Sequence, residues 1–160
     1  MFYVTKKEGV VFSPCNGSVI PLSEIPDEAF ASGMLGIGFG VVPSDGKILS
    51  PVSGRVDSIA EGKHAYTLVT SEGLDVLVHI GVDTVELKGS AFSPRVAKGS
   101  IVQVGDLLAE VDLSMIRDRG LSDTVAVLVT ETDRLESVEY EYGECTGGKD
   151  QPMHFLIRRK

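Results

Sequence analysis

Tryptophan is absent from this chain, and only three histidines and two cysteines occur in its 160 residues. Long apolar runs are missing too: nothing approaches the roughly 18 consecutive residues that a membrane helix needs. The opening MFYVTKKEG has neither the apolar core nor the small-residue cleavage site of an export signal, so the sequence places the chain in the cytoplasm. Cys15 and Cys145 stand far apart and form no CxxC pair, which excludes a disulfide framework and a thiolate zinc site as sequence readings. Positive charge is scarce as well: 15 Lys and Arg against 23 Asp and Glu leave a formal net charge of -8. Nucleic acid, whose phosphates require clustered cations, is not a partner on this balance, and Arg158-Arg159-Lys160 is too short a basic run to reverse it. An acidic protein instead favours basic partners through long-range steering.

Glycine and proline, by contrast, are plentiful, with 18 and 7 copies that break the chain into short pieces. Between the breaks lie β-branched, alternating segments, among them Gly38 to Val42, Arg55 to Ile59, His64 to Val69, Asp75 to Ile80, Leu107 to Val111 and Thr124 to Val129. Many short strands with regular turn signals predict an all-β chain, an antiparallel sandwich or barrel. Helical signals are limited to two or three short pieces: Asp27 to Ser32, Leu113 to Arg119 capped by Asp112 and stopped by Gly120, and a single turn at Thr132 to Ser137. An internal echo, SPxxGxV at Ser13 to Val19 and again at Ser50 to Val56, predicts pseudo-symmetry, against the plainer reading of two unrelated turns of similar chemistry. Residues 1–9 read as a short N-terminal tail and 10–160 as one domain.

The segment from His64 to His79 carries the chemistry. Two strand-like runs flank Ser71-Glu72-Gly73, where Gly73 can adopt the left-handed conformation that closes a hairpin. If Thr70 pairs with Gly73, His64 falls directly opposite His79 on one face, with Cβ atoms about 4.5–5.5 Å apart. A bulge at Gly73 is the feature that would slip this register by one. A neutral imidazole, with a reference pKa near 6.5, offers a lone pair that can attack a phosphoryl group. A second imidazole beside it can donate an N–H to the transferring oxygens. Spacing alone leaves open a structural histidine pair, or adventitious zinc held by His64 and His79. His154, on a terminal strand, reads as structural.

The flanking residues Val78-His79-Ile80-Gly81-Val82-Asp83-Thr84-Val85-Glu86-Leu87-Lys88-Gly89 resemble the signature of enzyme IIA domains of the glucose family, which belong to the bacterial sugar phosphotransferase system. The likeness runs from about Val10 to Lys160 and takes in Ser13 to Gly17, Ile25 to Phe30, Ser50 to Gly54, His64-Ala65-Tyr66 and Gly99 to Asp106. It implies an antiparallel β-sandwich that needs no cofactor, with His79 phosphorylated through Nε2 and His64 hydrogen-bonding the phosphate. It implies a phosphoryl donor, the small carrier HPr, and an acceptor, the IIB domain of a sugar permease, through which alone the chain meets the membrane. By the same resemblance Asp27, Phe30, Met34, Leu77, Asp83 and Val85 form an apolar, acid-edged docking rim. From the residues themselves, the four apolar positions could equally be core, and the two aspartates could be turn or capping residues.

Two departures stand out: Gly62 occupies a position where the family usually carries Thr, and Ala60 replaces a common apolar aromatic. They keep alive a rival reading as a regulatory binding module with weak or no phosphotransfer. A zinc peptidase, drawing on His64, His79 and Asp83, is the other rival, although such a site generally takes three protein ligands and the segment lacks an HxH pair.

Overall fold

The frequent turns and β-branched runs produce short strands that bury their alternate side chains against one another. In the computed structural model, which describes residues 6–158, fourteen strands form. They are β1 (Lys6–Val11), β2 (Gly17–Pro21), β3 (Ile37–Pro43), β4 (Lys47–Leu49), β5 (Gly54–Ile59), β6 (Ala65–Thr70) and β7 (Asp75–Ile80). The second half supplies β8 (Phe92–Pro94), β9 (Ile101–Val102), β10 (Leu107–Val111), β11 (Val125–Val129), β12 (Leu135–Tyr140), β13 (Gly143–Cys145) and β14 (Met153–Arg158). Eight strands make one sheet in the order β13-β2-β3-β11-β7-β6-β5-β9, and two three-stranded sheets, β1-β14-β12 and β4-β10-β8, accompany it. The pairings are antiparallel, and the architecture is the β-sandwich that the residue pattern predicts.

β11 reads Val-Ala-Val-Leu-Val with all five side chains buried, because it lies between β3 and β7 and is covered on both faces. Val125, Val127 and Val129 point into the main core with Phe39, Tyr66, Val78 and Ile80, whereas Ala126 and Leu128 face a smaller cluster with Ile25, Phe30 and Val82. Each such aliphatic burial stabilises the fold by about 1.5–3 kcal/mol. The smaller cluster lies under the face that carries His79, which pairs with Ala126 across the ladder.

The echoed SPxxGxV segments are structurally equivalent. Phe12 N–H donates to the Pro51 carbonyl at 2.9 Å, and Leu49 N–H donates to that of Pro14 at 2.6 Å. Both serines are fully buried, each hydroxyl donating to the carbonyl two residues on, Cys15 at 2.7 Å and Val52 at 2.6 Å. This reciprocal exchange is the pseudo-symmetry that the repeat predicts.

The helices are α1 (Glu28–Ala31) and α2 (Leu113–Asp118), each capped by an aspartate that accepts a backbone N–H: Asp27 from Ala29 at 2.8 Å and Asp112 from Met115 at 3.1 Å. The turn expected at Thr132 to Ser137 is a 3₁₀ turn over Thr132–Arg134, and the chain enters β12 at Leu135. The expected N-terminal tail of residues 1–9 is shorter, since Lys6 to Gly9 already pair with β14; residues 1–5 lie outside the described residues, as do Arg159 and Lys160 of the basic end.

Candidate functional site

The β6–β7 hairpin delivers His79 to the sheet face, but not in the register that the sequence suggests. Ala65, not His64, pairs with His79, and Tyr66 pairs with Val78. The cause is the turn: Thr70 closes onto Leu74, its amide donating to the Leu74 carbonyl at 3.0 Å, so the loop holds three residues, with Gly73 at φ 81°. A left-handed glycine at the end of a three-residue hairpin loop adds the one-residue slip.

His64 reaches its neighbour by another route. In a continued β6 strand, position 64 would share the core-facing side of Tyr66 and Leu68, away from His79. Instead it is the last residue of the β5–β6 loop, just after Lys63 in the left-handed conformation (φ 63°), and this bend aims its ring. The loop is tied by Ala60 N–H to the Ala65 carbonyl at 2.9 Å, and the His64 carbonyl accepts from Ile80 N–H at 2.7 Å. The imidazoles meet edge to face, with centroids 5.0 Å apart and planes at 79°. Phe92 stands behind His64 at 6.4 Å, and the ring of Phe30 packs edgewise on His79 at 5.0 Å.

His79 Nδ1 lies 2.8 Å from the Gly81 carbonyl oxygen. A carbonyl only accepts, so Nδ1 carries the proton and Nε2 keeps its lone pair. Burial lowers the pKa of His79, as does His64 beside it, while the Gly81 carbonyl, Asp27 and Asp83 pull the other way. Burial also lowers that of His64, opposed by the Gly62 backbone. Both rings are therefore neutral near pH 7. No side chain hydrogen-bonds the buried Nδ1 of His64, and a Cβ on Gly62 would sit 2.8 Å from it. The departure at Gly62 thus falls directly beside His64.

The six rim positions divide. Met34 and Val85 are exposed, at 74% and 56%, and Asp83 is exposed in a left-handed conformation. Leu77 is half-buried against the smaller apolar cluster, and Phe30 belongs to that cluster while presenting its edge to His79. Asp27 caps α1, the single turn that carries Phe30. Among the described residues no group of three or more His, Cys, Asp or Glu gathers as a metal site, so Asp83 does not join the histidines as a third ligand. None of the described helices is long and apolar enough to cross a membrane. The roles of Gly81 and Phe92 escape the sequence reading: a backbone carbonyl acceptor carries no side-chain signal, and Phe92, just past the motif, reads as one more apolar strand residue.

An imidazole with a fixed tautomer, a second imidazole beside it and apolar neighbours is an arrangement that can support reversible phosphoryl transfer. Comparison with known proteins agrees. Residues 9–135 match the family described as phosphoenolpyruvate-dependent sugar phosphotransferase system, EIIA 1. A glucose-specific EIIA component of Oceanobacillus iheyensis is 38% identical over 151 residues, covering 94% of this chain and 92% of the relative. A glucose-specific EIICBA component of Streptococcus pneumoniae is 47% identical over 131 residues; that match covers 82% of this chain but only 18% of the larger protein. The solved glucose permease IIA from Mycoplasma capricolum superposes with a TM-score of 0.88 at 32% identity, covering 96% of this chain and 99% of that one. With the family matched across most of its length and the same fold found in a solved relative, the chain belongs to the EIIA 1 family of the phosphoenolpyruvate-dependent sugar phosphotransferase system.

Proposed function

We infer that this chain is a cytoplasmic phosphocarrier, in which residues 10–160 act as one unit that takes a phosphoryl group from phospho-HPr on His79 and hands it to the IIB domain of a sugar permease. The observation that carries the reading is the Nδ1–H bond of His79 to Gly81, which leaves Nε2 as the single free nucleophilic nitrogen of that ring. In loading, the Nε2 lone pair forms the new N–P bond as the bond from phosphorus to the donor breaks, and the proton stays on Nδ1, hydrogen-bonded to the Gly81 carbonyl. His64, 5.0 Å away between centroids, is placed to donate to the phosphoryl oxygens. Onward transfer is the same displacement with the IIB domain as nucleophile. The acidic pair Asp27 and Asp83 beside an apolar rim suits a basic docking partner.

A regulatory module with weak transfer is the second reading, and the observation favouring it is that glycine at position 62 offers no side-chain hydroxyl to the nearby Nδ1 of His64. Incubation with HPr, its upstream kinase and phosphoenolpyruvate, followed by intact mass, separates the two. The expected result is one added phosphoryl group, absent in His79→Gln; His64→Gln still loads but passes the group on poorly. Equal loading of His79→Gln would overturn the assignment.

A further inference from the structure

The Gly81 carbonyl that fixes His79 belongs to a turn of unusual constraint. Gly81 sits at φ 77°, a conformation that directs its carbonyl back toward the ring. Two consecutive peptide units there are held at all four polar atoms. The first peptide has its oxygen, that of Ile80, accepting from Thr84 Oγ1, and its N–H, that of Gly81, donating to the Thr124 carbonyl at 2.9 Å. The second has its oxygen, that of Gly81, accepting from His79, and its N–H, that of Val82, donating to the Ser122 carbonyl at 3.0 Å. Ser122 and Thr124 are braced in turn, since the Ser122 hydroxyl contacts the Thr124 hydroxyl at 3.1 Å and accepts from the Thr124 amide at 3.2 Å.

Of these fixings, apart from the bond of the His79 ring itself, only that to the Ile80 oxygen is made by a side chain. Thr84 is fully buried, and its methyl fills the space in which a Cβ of Gly81 would lie, 2.3 Å away. We propose that Thr84 is a positioning residue for the phosphoryl acceptor: its buried hydroxyl clamps the Ile80–Gly81 peptide so that the Gly81 carbonyl holds the proton of His79 on Nδ1. This deepens the carrier reading and rests on it for its consequence, though not for its geometry. Without the hydroxyl the Ile80–Gly81 peptide keeps only its N–H tie to Thr124, the Gly81 carbonyl that follows it is less firmly aimed at Nδ1, and the ring gains access to the tautomer with its proton on the nitrogen that must attack.

The test uses Thr84→Val, which keeps the shape and removes the hydroxyl, and Thr84→Ser, which keeps the hydroxyl and removes the methyl. The readout is the ¹⁵N spectrum of the His79 ring in the unloaded protein, with the rate of loading by phospho-HPr alongside. For Thr84→Val we expect a mixed tautomer population and loading slowed about tenfold, the scale of a small misplacement at a reacting atom. For Thr84→Ser we expect the wild-type spectrum and a near-wild-type rate. A Thr84→Val ring spectrum identical to wild type overturns the proposal, as does a Thr84→Ser spectrum as mixed as that of the valine variant. Should the valine variant fail to fold, the serine variant decides by itself: a wild-type spectrum supports the clamp and a mixed one sinks it. Failure of the wild-type chain to load overturns the carrier reading instead, and the ring spectra still judge the clamp.

Discussion

A histidine is a nucleophile at neutral pH only while it is uncharged and its lone pair is on the correct nitrogen. Burial secures the first condition for His79 and for His64, and one backbone carbonyl secures the second for His79. Burial has a cost that stability measurements can read. Because both folded-state pKa values lie below the ordinary imidazole value of about 6.5, the unfolded chain binds protons first as pH falls. Stability is therefore steady above about pH 6.5 and declines below it, until the folded histidines themselves protonate. Glu72 and Glu136, whose pKa values are lowered from 4.5 by lysine partners, are lost in a separate and more acidic window. Urea midpoints measured from pH 8 to pH 5 should fall across the histidine window and fall less in the His64→Gln/His79→Gln double variant; a wild-type profile flat down to pH 5 would contradict the burial account. At this scale the sequence singled out His64 and His79, and the structure brings their rings together. It could not reveal how closely Gly62 approaches His64 Nδ1, since that depends on where a loop bends.

Elements carry these residues to one place, and the short α1 does two jobs with one aspartate. Asp27 caps the turn that presses Phe30 against His79, and its charge acts on His79 from the rim. The two roles separate by substitution. Asp27→Ala should cost about 1 kcal/mol of stability, the usual worth of an N-cap, whereas Asp27→Asn keeps the cap and loses only the charge. Denaturation of both, beside loading by phospho-HPr, should show asparagine as stable as wild type but slower to load; equal destabilisation by the two would remove the capping role. The hairpin shows how far the pattern was legible. Alternation identified β6 and β7, and glycine identified the turn, yet the loop length at Ser71-Glu72-Gly73 was short by one. The histidines became neighbours through the bend at Lys63 rather than through strict pairing. β8 and β13, three residues each, escaped notice because so short a stretch has no period to read.

For the molecule as a whole, a charge of -8 and two carboxylates near His79 dispose the chain toward a cationic visitor. Such attraction acts on approach, so loading by phospho-HPr at subsaturating concentration should slow several-fold between about 0.05 and 0.5 M salt, as screening shortens the reach of the charges to a few ångströms. A rate unchanged by salt would place recognition in the apolar rim alone. The sandwich class and its repeated SPxxGxV corner were readable because both rest on local turn chemistry. The strand order was not, because it depends on pairings between segments distant in the chain.

His79 rides on an interior strand, bonded by β6 on one side and β11 on the other. A group mounted there has nowhere to go. Whatever arrives must bring its reactive atom to a stationary ring, and whatever leaves must take the cargo away unaided. On the carrier reading, a cell component that tells the loaded chain from the empty one has the added group and its charge to sense, presented from a strand held on both sides.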